Sequence, residues 1–100
     1  MRLLSIFILA GILCGGTNNA LSKASAAMKA GMYKEALGHI SVAQKTDETN
    51  PDVYRMKALL HEALDEPKLA LSAWKNCLKY SMDEFMSSEA KIHIQSLSAE

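Results

Sequence analysis

The sequence has few of the residues that favour strands and no surplus of charge of either sign. Valine occurs only as Val42 and Val53, whereas Ala, Leu, Met, Lys and Glu dominate, a composition typical of helical proteins. The 11 Lys and Arg residues balance the 11 Asp and Glu residues, so no strong field attracts nucleic acid or anionic lipid. A chain of 100 residues has room for one small domain at most.

Motifs that support catalysis or metal binding are also missing from the sequence. There is no Gly-rich phosphate loop and no Ser/His/Asp spacing of the kind that hydrolases use. His39, His61 and His93 fall on three different predicted helices, without the i, i+4 pairing or paired cysteines of a zinc site. We expect His61 to be a hydrogen-bonded core or edge residue and the other two to face solvent. No enzymatic activity, metal or cofactor is expected.

Three further features receive structural interpretations. Cys77 lies at a small inward position of a predicted helix, where a free cysteine behaves as a small hydrophobe; a reactive thiol is a distant alternative. Trp74, the single tryptophan, has the spacing of a core residue. The acidic residues Glu62, Asp65 and Glu66 span a helix end and the next helix start, where we expect Asp65 and Glu66 to act as caps.

The N-terminus has the anatomy of a secretory signal peptide. Met1 and Arg2 form a short basic start, the run from Leu3 to Cys14 is apolar, and small residues follow up to Gly16. An apolar run of about 12 residues is short of the roughly 20 that a transmembrane helix needs. The sequence therefore predicts that the segment 1–16 directs export to the periplasm or the cell exterior.

The site of signal cleavage determines whether the mature protein is free or tethered to a membrane. Cleavage after Gly16 leaves Cys77 as the only cysteine, so no internal disulfide can form. The alternative is a bacterial lipoprotein signal, in which Cys14 is lipidated and tethers the protein to a membrane. Plain secretion is the favoured interpretation, because Gly11 and Leu13 differ from the residues that usually precede a lipidated cysteine.

Helical periodicity and turn residues divide the rest of the chain into five predicted helices. The first is capped by Asn18 or Asn19 and ended by Gly31. The second and third predicted helices are 32–45 and 51–64, and the third begins with Asn50 and Pro51. The fourth starts at 65–67 and ends near Tyr80. The fifth is 83–98, and a capping box of Ser81 and Glu84 marks its start. Turns of two to five residues require consecutive helices to pack antiparallel.

Packing residues recur after 34 positions. The recurring pairs are Ala24 and Ala58, Ala36 and Ala70, Ile40 and Trp74, and Ala43 and Cys77. A fixed period of this length is typical of stacked helix-turn-helix units, which bury their apolar faces against one another. The small residues allow close approach of the helices, while Ile40 and Trp74 can wedge between one hairpin and the next.

These runs resemble the tetratricopeptide repeat family. The matching patterns are Gly31-x-Tyr33-x-x-Ala36-x-x-x-Ile40-x-x-Ala43 and Ala70-x-x-x-Trp74-x-x-Cys77. Before the second pattern, Asp65 and Pro67 stand at the positions where the family has Gly and Tyr. The resemblance implies an all-α solenoid of two repeats, 17–50 and 51–84, closed by a capping helix at 85–100. In that helix we expect Phe85, Ile92, Ile94 and Leu97 to cover the second hairpin, with Lys91, His93, Gln95 and Ser98 facing water.

The resemblance also implies a function, since the first helix of each repeat in this family lines a groove that takes peptides. The corresponding positions here are Leu21, Ser25, Met28, Asp52, Arg55, Leu59, Glu62, Glu89 and His93. Leu21, Met28 and Leu59 would be apolar anchors and Arg55 the strong donor. The expected function is a non-catalytic protein-binding or peptide-binding adaptor or assembly factor, and the alternative is a protein that associates with itself.

Overall fold

The computed structural model describes residues 16–99, with side chains from Asn19 onward, and this part of the chain is all-helical. The five helices are α1 Gly16–Lys29, α2 Tyr33–Thr46, α3 Pro51–Ala63, α4 Pro67–Tyr80 and α5 Glu84–Ser98. Consecutive helices pack against one another as antiparallel hairpins, and α1 also contacts α3. The predicted all-α array of five helices is confirmed. Residues 1–15 of the predicted signal peptide, Cys14 included, lie outside the described residues.

The start of α3 follows the sequence closely, whereas the caps predicted for α1, α4 and α5 are wrong. The Asn50 side chain accepts a hydrogen bond from the Asp52 amide at 3.0 Å, with Pro51 in the first turn. By contrast, α1 is already helical at Gly16, so Asn18 and Asn19 lie inside the helix and do not cap it.

No helix among the described residues is long and apolar enough to cross a membrane.

The cap of α5 is Asp83, and the predicted Ser81/Glu84 capping box does not form. The Asp83 carboxylate accepts from the Phe85 amide at 2.8 Å. The Ser81 hydroxyl instead donates to the Asp83 carbonyl oxygen at 2.9 Å, so it organises the turn that precedes the helix. An aspartate two positions closer to the helix provides a charged acceptor that also suits the helix dipole, which explains why it replaces the serine.

The turn between α3 and α4 also differs from the expectation that acidic side chains cap α4. Asp65 holds a left-handed conformation with φ of 58°, and its amide donates to the Glu62 carbonyl at 3.0 Å. Glu66 stands at the N-cap of α4, but its side chain makes no capping bond. Its carboxylate instead lies 2.9 Å from Nδ1 of His61. The turn is therefore a C-terminal closure of α3 by backbone bonds.

Two apolar clusters make up the core of residues 16–99, and α3 contributes to both. Val53 and Leu60 join α1 and α2, while Tyr54 and Ala58 join α4 and α5. Residues one repeat period apart are buried to the same extent. The pairs that are almost fully buried are Ala24 and Ala58, Ala36 and Ala70, Ile40 and Trp74, and Ala43 and Cys77. The repeat in sequence is therefore a repeat in packing.

The fifth helix breaks this repeat spacing, and its predicted inner face is partly wrong. Ala90 is fully buried, although a third repeat would place the counterpart of Ala58 at Ile92, so the helix is out of phase by two residues. Two residues rotate an α-helix by about 200°. Phe85 and Ile92 consequently face solvent at 82% and 67% exposure, whereas Ile94 and Leu97 pack on the second cluster as expected.

Candidate functional site

The predicted groove residues fall into a group on α1 and α3 and a group that links α3 to α5. On the α1 side, Leu21 and Met28 are half-buried and pack against the first cluster, and Ser25 between them is half-buried as well. Leu59 is half-buried against the second cluster, and Asp52 at the start of α3 is exposed. Leu21, Met28 and Leu59 are therefore packed against the core on one side and partly exposed on the other.

Arg55, predicted to donate to a partner, is engaged within the protein. Its guanidinium donates from Nε to Oε1 of Glu89 at 2.6 Å and from Nη2 to Oε2 at 3.1 Å, a bidentate ion pair between α3 and α5. The hydrogen bonds lower the pKa of the Glu89 carboxyl and raise the pKa of Arg55. Arg55 and Glu89 therefore fasten α5 to the second hairpin before any partner binds.

Glu62 and His93 form a second link between the same helices. Oε2 of Glu62 accepts from Nε1 of Trp74 at 2.6 Å and lies 2.8 Å from Nδ1 of His93. The His93 ring stacks on Trp74 with a centroid separation of 4.2 Å and an interplanar angle of 23°. The expectation that His93 faces water is wrong, because the two-residue phase shift of α5 turns it toward Trp74. The Glu62 carboxylate gives the buried indole N–H of Trp74 its hydrogen-bond acceptor, so this member of the acidic cluster has a structural role.

The remaining candidates for chemistry are enclosed in the structure. Cys77 is fully buried, and desolvation is the main cause that raises the pKa of its thiol to about 11, the nearby Glu89 charge adding to it. His61 is buried and bonded to Glu66, as the sequence predicts for a core or edge histidine. Within residues 16–99, no cluster of three or more His, Cys, Asp or Glu side chains is placed to hold a metal ion.

The sequence does not predict a cleft at the junction of α2, α3 and α4. It has a volume of about 430 Å³ and is lined in part by Lys45, Lys57 and the stacked rings of Tyr54 and Tyr80, whose centroids lie 5.6 Å apart. The Tyr54 hydroxyl donates to the Glu48 carbonyl at 2.6 Å, and burial is the main cause that raises its pKa. Lys57 donates to Gln44 at 3.0 Å, so its charge is only partly available to a ligand.

The comparisons with known proteins give no assignment. Protein-family models, curated proteins and solved structures were each searched, and none matches this chain. The case for a function therefore depends on the residues and contacts described above.

Proposed function

We propose that the protein is an exported, non-catalytic helical-repeat protein of the tetratricopeptide type that binds a peptide or an exposed segment of another protein. The binding surface in this proposal is the face shared by α1 and α3, here named the α1/α3 face and defined by Leu21, Ser25, Met28 and Leu59. The apolar N-terminal sequence that ends at Gly16 supports the export part of the proposal.

The single observation that carries the proposal is the equivalence of the two hairpins, whose buried residues recur one repeat period apart. Ser25 and Leu59 lie one repeat period apart, at equivalent positions of α1 and α3. Equivalent positions of stacked repeats adjoin one another, and this is how solenoids build extended binding surfaces. Direct contact between α1 and α3 supports the same stacking here.

The chemistry of the α1/α3 face suits an apolar segment with few charges. Leu21, Met28 and Leu59 are held against the clusters yet remain partly exposed, so a ligand meets preorganised apolar anchors. Methionine adapts its shape to different ligand side chains. Arg55, the strong donor predicted for the groove, is paired with Glu89, so it does not select an acidic peptide.

The proposal is tested by selecting peptides from a random displayed library on the immobilised protein and measuring their affinities. Ser25→Arg should lower the affinity of the selected peptides at least tenfold, because a long charged side chain covers the α1/α3 face. The matched control is Ser72→Arg on an exposed position of α4, which should leave affinity unchanged. Peptides that bind both variants equally well, or a library that yields none, would count against the proposal.

A further inference from the structure

The outer face of α5 is apolar where the end of a helical array is normally polar. Phe85 and Ile92 are spaced by seven residues and so lie on one side of the helix, 82% and 67% exposed. Met82, just before the helix, is 98% exposed. Terminal units of repeat arrays require a polar outer surface for solubility, and an apolar patch with a polar rim marks an interaction site.

The surroundings of Phe85 and Ile92 suit a second helix. Ser88 lies between them on the same side and is small enough for another helix to approach to the usual spacing of about 8–10 Å between axes. A shallow depression of about 580 Å³ runs along this side. It is lined by Glu84, Phe85, Ser88, Glu89, Ile92 and His93.

The charged residues on this face can form ion pairs with those of the same face on a second copy. Glu84 and Lys91 are exposed, lie seven residues apart and form no ion pair with any residue in the described part of the chain. When a second α5 lies antiparallel, a twofold axis near Ser88 brings Phe85 against Ile92 of the second copy. The same rotation brings each Glu84 near Lys91 of the second copy, whereas a parallel arrangement would bring Glu84 against Glu84.

We propose that the outer face of α5, defined by Glu84, Phe85, Ser88, Lys91 and Ile92, is the contact surface of an antiparallel homodimer. Glu89 would lie near its own counterpart at the twofold axis, and its bidentate bond to Arg55 removes most of that repulsion. The surface is separate from the α1/α3 face, so dimerisation and peptide binding can each fail without the other.

The dimer should be weak. One helix pair buries less surface than the roughly 1,200–2,000 Å² of stable complexes, so we expect a dissociation constant between about 1 μM and 1 mM. Sedimentation velocity on the protein in the form the cell produces, under reducing conditions, should show a rising dimer fraction as concentration increases. Ile92→Glu should raise the dissociation constant at least tenfold, whereas Val42→Glu, at a 56% exposed position of α2, should leave it unchanged.

A charge exchange separates this interface from other modes of association. Glu84→Lys and Lys91→Glu should each weaken self-association, since each places like charges opposite one another. A mixture of the two single variants should form a heterodimer, and the double variant should recover the affinity of the original protein. Circular dichroism should stay unchanged throughout, because both side chains are exposed.

Either of two results would overturn the homodimer. A monomer that persists up to about 1 mM would show that the outer face of α5 does not self-associate. Dimers that survive Ile92→Glu and both charge variants would place the interface elsewhere on the molecule.

Discussion

Gly31 and Asp65, one repeat period apart, hold the same left-handed backbone conformation, with φ of 78° and 58°. The residue after each one closes its helix with a hydrogen bond of 2.8 Å, from Met32 to the Ala27 carbonyl and from Glu66 to the His61 carbonyl. The two turns are therefore the same structure built from different residues. Aspartate bears a conformational cost that glycine does not, because its Cβ crowds the backbone in this region.

Exchanging these two residues should change stability in opposite directions. Asp65→Gly should raise the free energy of unfolding by about 0.5–1 kcal/mol, and Gly31→Asp should lower it by a similar amount. A Cβ at Gly31 would meet no atom within 4 Å, so the cost there is conformational and not steric. Urea unfolding followed by circular dichroism measures both values. A destabilised Asp65→Gly variant would contradict the equivalence of the turns.

Glu62 is expected to stabilise the second hairpin as the shared acceptor of Trp74 and His93. Glu62→Ala should lower the free energy of unfolding by about 1–3 kcal/mol, because the buried indole N–H loses its partner. Glu62→Gln keeps a carbonyl acceptor and should lose less than half of that amount. Glu35→Ala, at an exposed position of α2, controls for the change in side chain. Equal losses for Glu62→Ala and Glu35→Ala would contradict this role.

The sequence predicts the helices and the hairpin cores well because their determinants are local. Proline and asparagine at helix starts and small residues at regular spacing identify α3 and the repeated buried positions without knowledge of distant contacts. The orientation of α5 depends on the connection after α4, where a shift of two residues reverses the faces. The expectation for Ile92 fails there, since hydrophobicity alone does not reveal that Ala90 is the buried residue.

The candidate site is less predictable than the fold because its charges pair across helices. Arg55 and Glu89 are recognisable as groove positions, but nothing in their local sequence indicates that they bind each other. Arg55 and Glu89 lie 34 residues apart, but α5 is out of phase with the repeat, so the period alone does not predict that they face each other.

The buried thiol of Cys77 should make stability fall at alkaline pH. Its pKa in the folded state is about 11, above the ordinary value of 9.0, so the unfolded chain loses this proton first. The contribution of the buried, neutral thiol to the free energy of unfolding is complete below about pH 9. It falls by at most about 2–3 kcal/mol as the pH rises toward 11. Cys77→Ala, which copies Ala43 of the first hairpin, should flatten the dependence in this interval. An unchanged alkaline slope in Cys77→Ala would contradict the burial of the thiol.

The ion pair between Arg55 and Glu89 should contribute modestly and depend on pH in the acid range. Because both side chains are partly exposed, a double-mutant cycle with Arg55→Met and Glu89→Gln should give a coupling energy of about 1 kcal/mol or less. The lowered pKa of Glu89 means that its contribution is present above the unfolded pKa and lost as pH falls through the folded pKa. The coupling should therefore vanish in acid, and a coupling that persists there would contradict the ion pair.

The most direct test of the proposed function is to map a selected peptide onto the protein by NMR chemical-shift perturbation. Binding to the α1/α3 face predicts the largest changes at the amides of Leu21, Ser25, Met28 and Leu59, with little change at Val42 on α2. Perturbations confined to the outer face of α5, or to the cleft beside Tyr80, would contradict the proposal that the α1/α3 face binds peptides.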